Sequence, residues 1–250
     1  MRHSGTWWRA IVLALAATAA AVDAPGAAQN MIGRQSQNEG MLALPAPGPV
    51  TIDGDLKEWD WSGRIWVFAD SAVRSRYSVE AAALWDKDNL YLAARWKDPT
   101  PLFSLIDPAV NPNEGWKEDS WQMRIATADR TLWITTWYFT PRQQPVLHIA
   151  YWKERRDSRA GQDAVLLTAP TGGTELGQDA AMAYRADADG KGFTQELRLP
   201  WKLIFNTVPD IQPGLTFRMG SEFLWGDPTG KTWPIHRYAD NLQPGKTSRE

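Results

Sequence analysis

From about residue 50 onward, hydrophobic and polar residues alternate in short runs that Gly, Pro or Asp interrupts. A two-residue period is typical of β-strands, whose successive side chains point to opposite faces of a sheet. The runs "VEAAALW" and "LYLAARW" are separated by the turn-rich "DKDN" and therefore predict a hairpin. No long stretch keeps a helical period, although "PWKLIFN" could form one or two helical turns. The pattern predicts an all-β fold, a two-sheet antiparallel β-sandwich of the jelly-roll or immunoglobulin type.

Further strands are predicted at "SWQMRIA", "TLWITTWYF", "VLHIAYW", "DAVLLT", "AMAYRA", "GFTQELRL" and "LTFRMGSEFLW". In the first of these, alternation directs Trp121, Met123 and Ile125 to the core, and Gln122 and Arg124 to the opposite face. The stretch "RADADGKGFTQE" has the acidic spacing of a calcium loop. Its first position is a repelling arginine, however, and its flanks alternate like strands, so a hairpin turned by Asp-Gly is the better interpretation.

The N-terminal segment has the order of a secretory signal. Arg2 and Arg9 precede the apolar run "IVLALAATAAAV", which is too short for a typical membrane span, and small residues follow. We predict a signal peptide over residues 1–28, a flexible Gly/Pro-rich linker over 29–46 and one domain over 47–250. An uncleaved anchor is the alternative interpretation. The expected location is secreted or periplasmic.

Composition narrows the possible functions. The net charge of −2 and the mixed charge pattern give no basic footprint for nucleic acid or an anionic membrane. The absence of cysteine excludes thiolate chemistry and cysteine-ligated zinc. No serine-hydrolase or metalloprotease motif is present, and although acids are numerous, the sequence does not pair any two of them for glycoside cleavage. We therefore predict no catalytic residue and expect that the protein is not an enzyme.

Tryptophan is unusually frequent. Of 15 tryptophans, two lie in the predicted signal, and the rest exceed what a core of this size needs. Trp116 and Trp233 fall in Gly-containing loops outside any alternation, where two rings could clamp one sugar from both faces. Gln122 is the expected hydrogen-bonding neighbour, with Arg124 and Lys117 as further candidates. The alternative is that a loop tryptophan simply folds over the end of the sandwich.

Five stretches, in order, resemble the family 9 carbohydrate-binding modules, which are related to DOMON-type and ethylbenzene-dehydrogenase-type haem domains. They are "VTIDGDLKEW", "ALWDKDNLYLAARWKDP", "NEGWKEDSWQMRI", "FTQELRLPWK" and "LWGDPTGKTWPIHRYADNL". The resemblance implies a non-catalytic module of an exported protein that binds a poly- or oligosaccharide. It places the two sugar-clamping tryptophans at Trp116 and Trp233. The family's glutamate falls on Gln122, which can still bond hydroxyls.

The resemblance also has consequences for cofactors. It implies structural calcium, for which Asp53, Asp55 and Asp86 are the acidic candidates. The haem relatives imply an alternative function, a b-type haem electron-transfer domain, for which Met123 or Met219 could supply the axial sulfur. For Met123 a core-filling role is the simpler interpretation. A third possibility is an inert adhesion or spacer domain.

Overall fold

The computed structural model of the protein describes residues 41–68, 72–152, 163–230 and 235–238, with only the backbone for Trp152 and 235–238. Within these ranges the chain forms thirteen strands, three 3-10 turns and one turn of α-helix. The strands are β1 Ala43–Pro45, β2 Ile65–Phe68, β3 Ser78–Trp85, β4 Asn89–Lys97, β5 Ser120–Ala126, β6 Thr131–Phe139, β7 Gln144–Trp152, β8 Asp163–Thr168, β9 Glu175–Gly177, β10 Ala180–Ala186, β11 Gly192–Pro200, β12 Arg218–Trp225 and β13 Ile235–Tyr238. The 3-10 turns are Leu56–Glu58, Gly115–Lys117 and Thr140–Arg142, and α1 is Trp201–Ile204. The predicted all-β sandwich is confirmed.

The strands form two sheets. Sheet A contains seven strands in the order β1-β3-β4-β11-β10-β9, with β2 also paired to β3, and sheet B has the order β13-β12-β5-β6-β7-β8. All strand pairs are antiparallel except β1 with β3, which are parallel. β1 lies inside the segment predicted as linker, so sheet A begins before the predicted boundary at residue 47. The predicted signal peptide lies outside the described residues.

The hairpins follow the sequence signals. The β3–β4 hairpin turns at residues 86–88, as the "DKDN" stretch predicts. The "RADADGKGFTQE" stretch forms the β10–β11 hairpin, in which Gly190 takes a positive φ of 65°, so the hairpin interpretation is confirmed. "PWKLIFN" contains the single helical turn α1. In the described part of the chain, no helix is long and apolar enough to cross a membrane.

The core lies between the two sheets and uses alternate residues of each strand. Trp121, Met123 and Ile125 are at most 1% exposed and belong to the main core cluster, as predicted. The cluster also takes the inward residues of β4, β6, β7, β11 and β12, among them Trp96, whose ring contacts those of Phe193 and Phe223. Burying so much aromatic surface supplies the main stabilisation of a domain without disulfides.

Candidate functional site

A row of polar side chains crosses the outer face of sheet B. Glu222 of β12 pairs with Gln122 of β5, Gln122 with Thr135 of β6, and Thr135 with His148 of β7. We call these four residues the polar row. Their sequence neighbours on either side face the core, so these side chains point away from it. Three strand spacings make the row roughly 14 Å long.

The polar row is sheltered although it lies outside the core. Its members are only 4–7% exposed. An amide, a hydroxyl, an imidazole and a carboxylate therefore stand side by side in a region that contains little water. Burial lowers the pKa of His148, which keeps its imidazole neutral at neutral pH. Polar groups of several kinds are gathered on this face, and Gln122 is already bonded to Trp133, which makes the face a candidate for binding a polar ligand.

An indole borders the polar row on the β6 side. The Nε1–H of Trp133 donates to Oε1 of Gln122 at 2.8 Å, so the amide and the ring are held in a fixed relation. The Arg124 guanidinium lies 4.9 Å from the centroid of the same ring. Trp133 and Arg124 are register partners, and both are half-buried. The row thus has an aromatic surface and a cation beside it.

Trp116 stands on the 3-10 turn just before β5. The ring is half-buried, and its Nε1–H donates to the Asn113 carbonyl at 2.9 Å. The Lys117 ammonium lies 5.7 Å from the ring centroid and pairs with Glu114 at 2.8 Å. Beneath the turn, a Cβ on Gly115 would lie 2.2 Å from the Trp137 ring, so only glycine allows this close approach. Trp116 is therefore carried by a turn that is pressed against the sheet.

The structure places some of the predicted site residues in the same region. Gln122 and Arg124 lie on the outer face as predicted, and Trp116 and Lys117 lie on the turn that packs against β5 and β6. Trp233 lies outside the described residues. The two strands that precede and follow this segment are described: β12 ends at Trp225, and β13 begins at Ile235, its register partner. Both positions are at the end of sheet B where β5 begins, because Ser120 pairs with Leu224.

Sequence reasoning missed most of this face. Trp133, Thr135, His148 and Glu222 were not selected as site residues, and only alternation within their strands could have placed them outward. These residues lie side by side only because of the order and the register of the strands. Neither the order nor the register can be read from the sequence. The sequence places His148 in no recognisable motif and gives no reason to pair it with Gln122.

A group of buried carboxyls lies beneath the loops at this end. We call Asp98, Glu118 and Asp119 the carboxyl junction, since each is at most 4% exposed. Asp119 accepts the backbone N–H groups of Gly226 at 2.7 Å and Leu102 at 2.9 Å, and its carboxyl also bonds that of Asp98. Three loop segments, after β4, before β5 and after β12, are thereby joined at one point.

The carboxyl junction is electrostatically unusual. Burial raises the pKa of Asp98, and burial together with the neighbouring Asp98 raises that of Asp119 well above its ordinary value. Burial, and secondarily Asp227, raises the pKa of Glu118 to about 8. Both carboxyl oxygens of Glu118 lack a hydrogen-bond partner within the described residues. Protonation relieves the cost of holding these groups in a region of low dielectric.

The calcium candidates do not converge. The Asp55 carboxylate contacts Lys57 at 2.6 Å and Arg185 at 3.5 Å, so it is already paired with two positively charged side chains. The Asp86 carboxylate accepts bonds from its own turn and from the Tyr91 hydroxyl. Nowhere in the described ranges do three or more His, Asp or Glu side chains form a group that could hold a metal ion. As placed, Asp53, Asp55 and Asp86 do not fit a shared calcium ion, and calcium stays a prediction.

The haem candidates lie in the core. Met123 is 1% exposed in the main cluster, and Met219 packs against that cluster from the next strand. This position agrees with a core-filling role for Met123. No feature of the described residues favours haem, which also stays a prediction.

Comparison with known proteins supports the fold. No protein-family model matches the chain, and no curated protein matches it. A candidate carbohydrate-binding protein from Bacteroides uniformis is similar in structure, with a TM-score of 0.51 at 9% identity over 82% of this chain and 92% of that one.

Two structures of a family 9 carbohydrate-binding module from Caldicellulosiruptor kristjanssonii also align. The complex with glucose has a TM-score of 0.46 at 12% identity over 79% of this chain and 84% of that one. The complex with cellotriose has a TM-score of 0.46 at 13% identity over 78% and 82%. At such identities a structural likeness concerns the fold alone. The arrangement of the two sheets, together with the likeness to the Bacteroides uniformis protein, confirms the sandwich fold that the sequence resemblance implies.

Proposed function

We propose that the protein binds a poly- or oligosaccharide, without catalysing a reaction, on the outer face of sheet B. The observation that carries the proposal is the polar row, a sheltered line of an amide, a hydroxyl, an imidazole and a carboxylate beside Trp133, with the Trp116 turn packed on the same strands β5 and β6. The predicted export signal agrees with a role outside the cytoplasm.

The chemistry of this face suits a sugar. Hydroxyl groups both donate and accept hydrogen bonds, and the polar row offers both kinds of partner. The axial C–H surface of a pyranose is apolar and packs on an indole face. An oligosaccharide lying along this face would contact the half-buried rings of Trp133 and Trp116, and would reach the polar row only through the small exposed part of each member. Gln122 has a central place because it touches Trp133 and is the register partner of both Glu222 and Thr135.

The clamp between Trp116 and Trp233 is part of the proposal. The support for the clamp comes from the topology. The loop that contains residue 233 connects β12 to β13 at the end of sheet B where β5 begins, which is also the end that carries the Trp116 turn. Asp119 ties the beginning of that loop, at Gly226, to the segment that carries Trp116. Two loops joined in this way could hold rings on both faces of one sugar unit.

The test is a glycan array followed by calorimetry on the best ligand. Trp116→Ala and Trp233→Ala should each weaken binding by about thirtyfold or more, since a hot-spot aromatic contributes roughly 2 kcal/mol. Trp66→Ala is the matched control, because Trp66 is 45% exposed on sheet A, and it should leave affinity unchanged. Unchanged affinity in both loop variants, or no glycan bound by the wild type, would contradict the proposal.

A visible spectrum of the purified protein separates this proposal from the haem alternative. A saccharide-binding domain is colourless, whereas a b-type haem domain gives an intense Soret band. A protein with neither colour nor glycan affinity would match the third possibility, an inert spacer.

A further inference from the structure

A second line of mostly polar side chains crosses the outer face of sheet A, on the opposite side of the molecule from the polar row. Consecutive register partners across β2, β3, β4, β11 and β10 are Trp66, Glu80, Arg95, Thr194 and Arg185. Elsewhere on this face the N-terminal segment covers the sheet with apolar residues, including Leu56 and Trp59. The line of charged residues therefore differs from the rest of this face, which is apolar and covered.

Part of this line forms the floor of a cleft of about 420 Å³. Arg95 and Thr194 lie at the floor, residues 54–57 form one wall, and residues 185–188 form the other. The volume is within the range of roughly 300–1,000 Å³ that is typical of small-molecule sites. Because charged side chains stand among the lining residues, a ligand with polar groups suits the cleft.

The wall formed by residues 54–57 is fixed in place. Gly54 has φ of +83°, and a Cβ there would lie 2.8 Å from Cβ of Arg185, so the two walls approach as closely as glycine permits. The Thr194 hydroxyl donates to the Gly54 carbonyl at 2.6 Å, and the Glu196 carboxylate accepts the N–H groups of Gly54 and Asp53. The position of this wall is thus fixed by contacts within the protein.

Cations outnumber anions in the cleft. Lys57, Arg95 and Arg185 face Asp55 and Asp187, and Asp55 contacts both Lys57 and Arg185. Arg95 is exposed and stacks on the Trp61 ring, with 4.0 Å between Cζ and the ring centroid. Within the described residues no carboxylate lies within ion-pair distance of Arg95, and its neighbour Glu80 pairs with Arg64 at 3.4 Å.

The stacking orients the Arg95 guanidinium. A guanidinium that lies flat on an indole keeps its N–H edge free for a planar, bidentate partner, and a carboxylate matches that edge. Arg185 on the adjacent wall offers a second guanidinium to the same ligand. The Thr194 hydroxyl and the Asp187 carboxylate could accept from hydroxyl groups.

We propose that this cleft is a second ligand site, which binds the carboxylate of a sugar acid, a uronate unit, on Arg95 with help from Arg185. The site is separate from the proposed saccharide face of sheet B and does not rest on it. A chain with both sites would hold a neutral glycan on one sheet and an acidic one on the other.

The experiment is calorimetric titration of the full chain with digalacturonate at low salt, with acetate and cellotriose titrated separately. Arg95→Gln should weaken digalacturonate binding at least about tenfold, since a charge-assisted bidentate contact is lost. Arg95→Lys should recover only part of the affinity, because an ammonium lacks the planar fork. Arg185→Gln should have a smaller effect, since Asp55 already shares its charge.

The controls separate the two sites. Arg218→Gln, at an exposed arginine of sheet B, should bind digalacturonate like the wild type. Trp116→Ala should lose neutral glycan and keep digalacturonate, so failure of one proposal leaves the other measurable. The cleft proposal is overturned if digalacturonate does not bind, if acetate binds as tightly, or if folded Arg95 and Arg185 variants bind with unchanged affinity.

Discussion

At the residue scale, Gln122 shows both the reach and the limit of sequence reasoning. Alternation within "SWQMRIA" places it on the outer face, and the structure agrees. Its bond to Trp133 could not be predicted, because the two residues are on different strands and the bond depends on their register. The high number of tryptophans was a weaker indication of a binding surface, because many of the rings are buried. In the described part of the chain, six tryptophans are buried: Trp59, Trp96, Trp121, Trp137, Trp201 and Trp225.

Glu118 gives a prediction at the same scale. Its pKa is raised from 4.5 to about 8 by burial and then by Asp227, so the folded protein holds a proton that the unfolded chain releases above about pH 4.5. Its contribution to stability is complete below pH 4.5 and is lost as pH rises to about 8. Glu118→Gln removes this titration. Its melting temperature should therefore fall less than that of the wild type between pH 5 and pH 9.

Differential scanning calorimetry across this pH range measures the effect. The exposed Asp210→Asn is the control, and its melting temperature should follow that of the wild type. A constant difference between Glu118→Gln and the wild type at every pH would show that Glu118 does not titrate in this range.

At the element scale, the site depends on one short turn. The 3-10 turn Gly115–Lys117 carries Trp116 and rests on Trp137, whose Nε1–H donates to the Ile106 carbonyl at 3.0 Å. The sequence predicted a loop tryptophan here. It gave no indication that the preceding glycine is in contact with a buried ring, since that contact joins residues about twenty positions apart. The polar row likewise exists only through the pairing of β12, β5, β6 and β7.

Gly115→Ala tests the role of the turn. The added methyl group would overlap the Trp137 ring, so the turn must move and Trp116 with it. We expect a loss of stability of about 1–3 kcal/mol, as for other overpacked positions, together with weaker glycan binding. Gly48→Ala is the matched control, since a Cβ there meets nothing within 4 Å. Equal chemical stability and equal glycan affinity in the two variants would contradict the structural role of the turn.

At the scale of the whole molecule, the sandwich was predictable because its strands alternate almost without interruption and their turns carry Gly, Pro or Asp. The order of the strands in each sheet was not predictable, because it depends on contacts between distant segments. This arrangement of the strands matters for function. Sheet A and sheet B each have an outer face with half-buried or exposed tryptophan and polar groups, Trp61 and Trp66 on one and Trp116 and Trp133 on the other. The sequence directed attention to only one of these faces.

The most direct test of the saccharide face is an NMR titration of the indole N–H signals of ¹⁵N-labelled protein with cellotriose, xylotriose and mannotriose. Each tryptophan gives one such signal, so the spectrum reports which rings a sugar reaches. At least one of these sugars should shift the signals of Trp116 and Trp133 and leave those of the buried Trp121 and Trp225 in place. If no indole signal moves with any of the three, or if only Trp61 and Trp66 respond, the saccharide does not bind on sheet B.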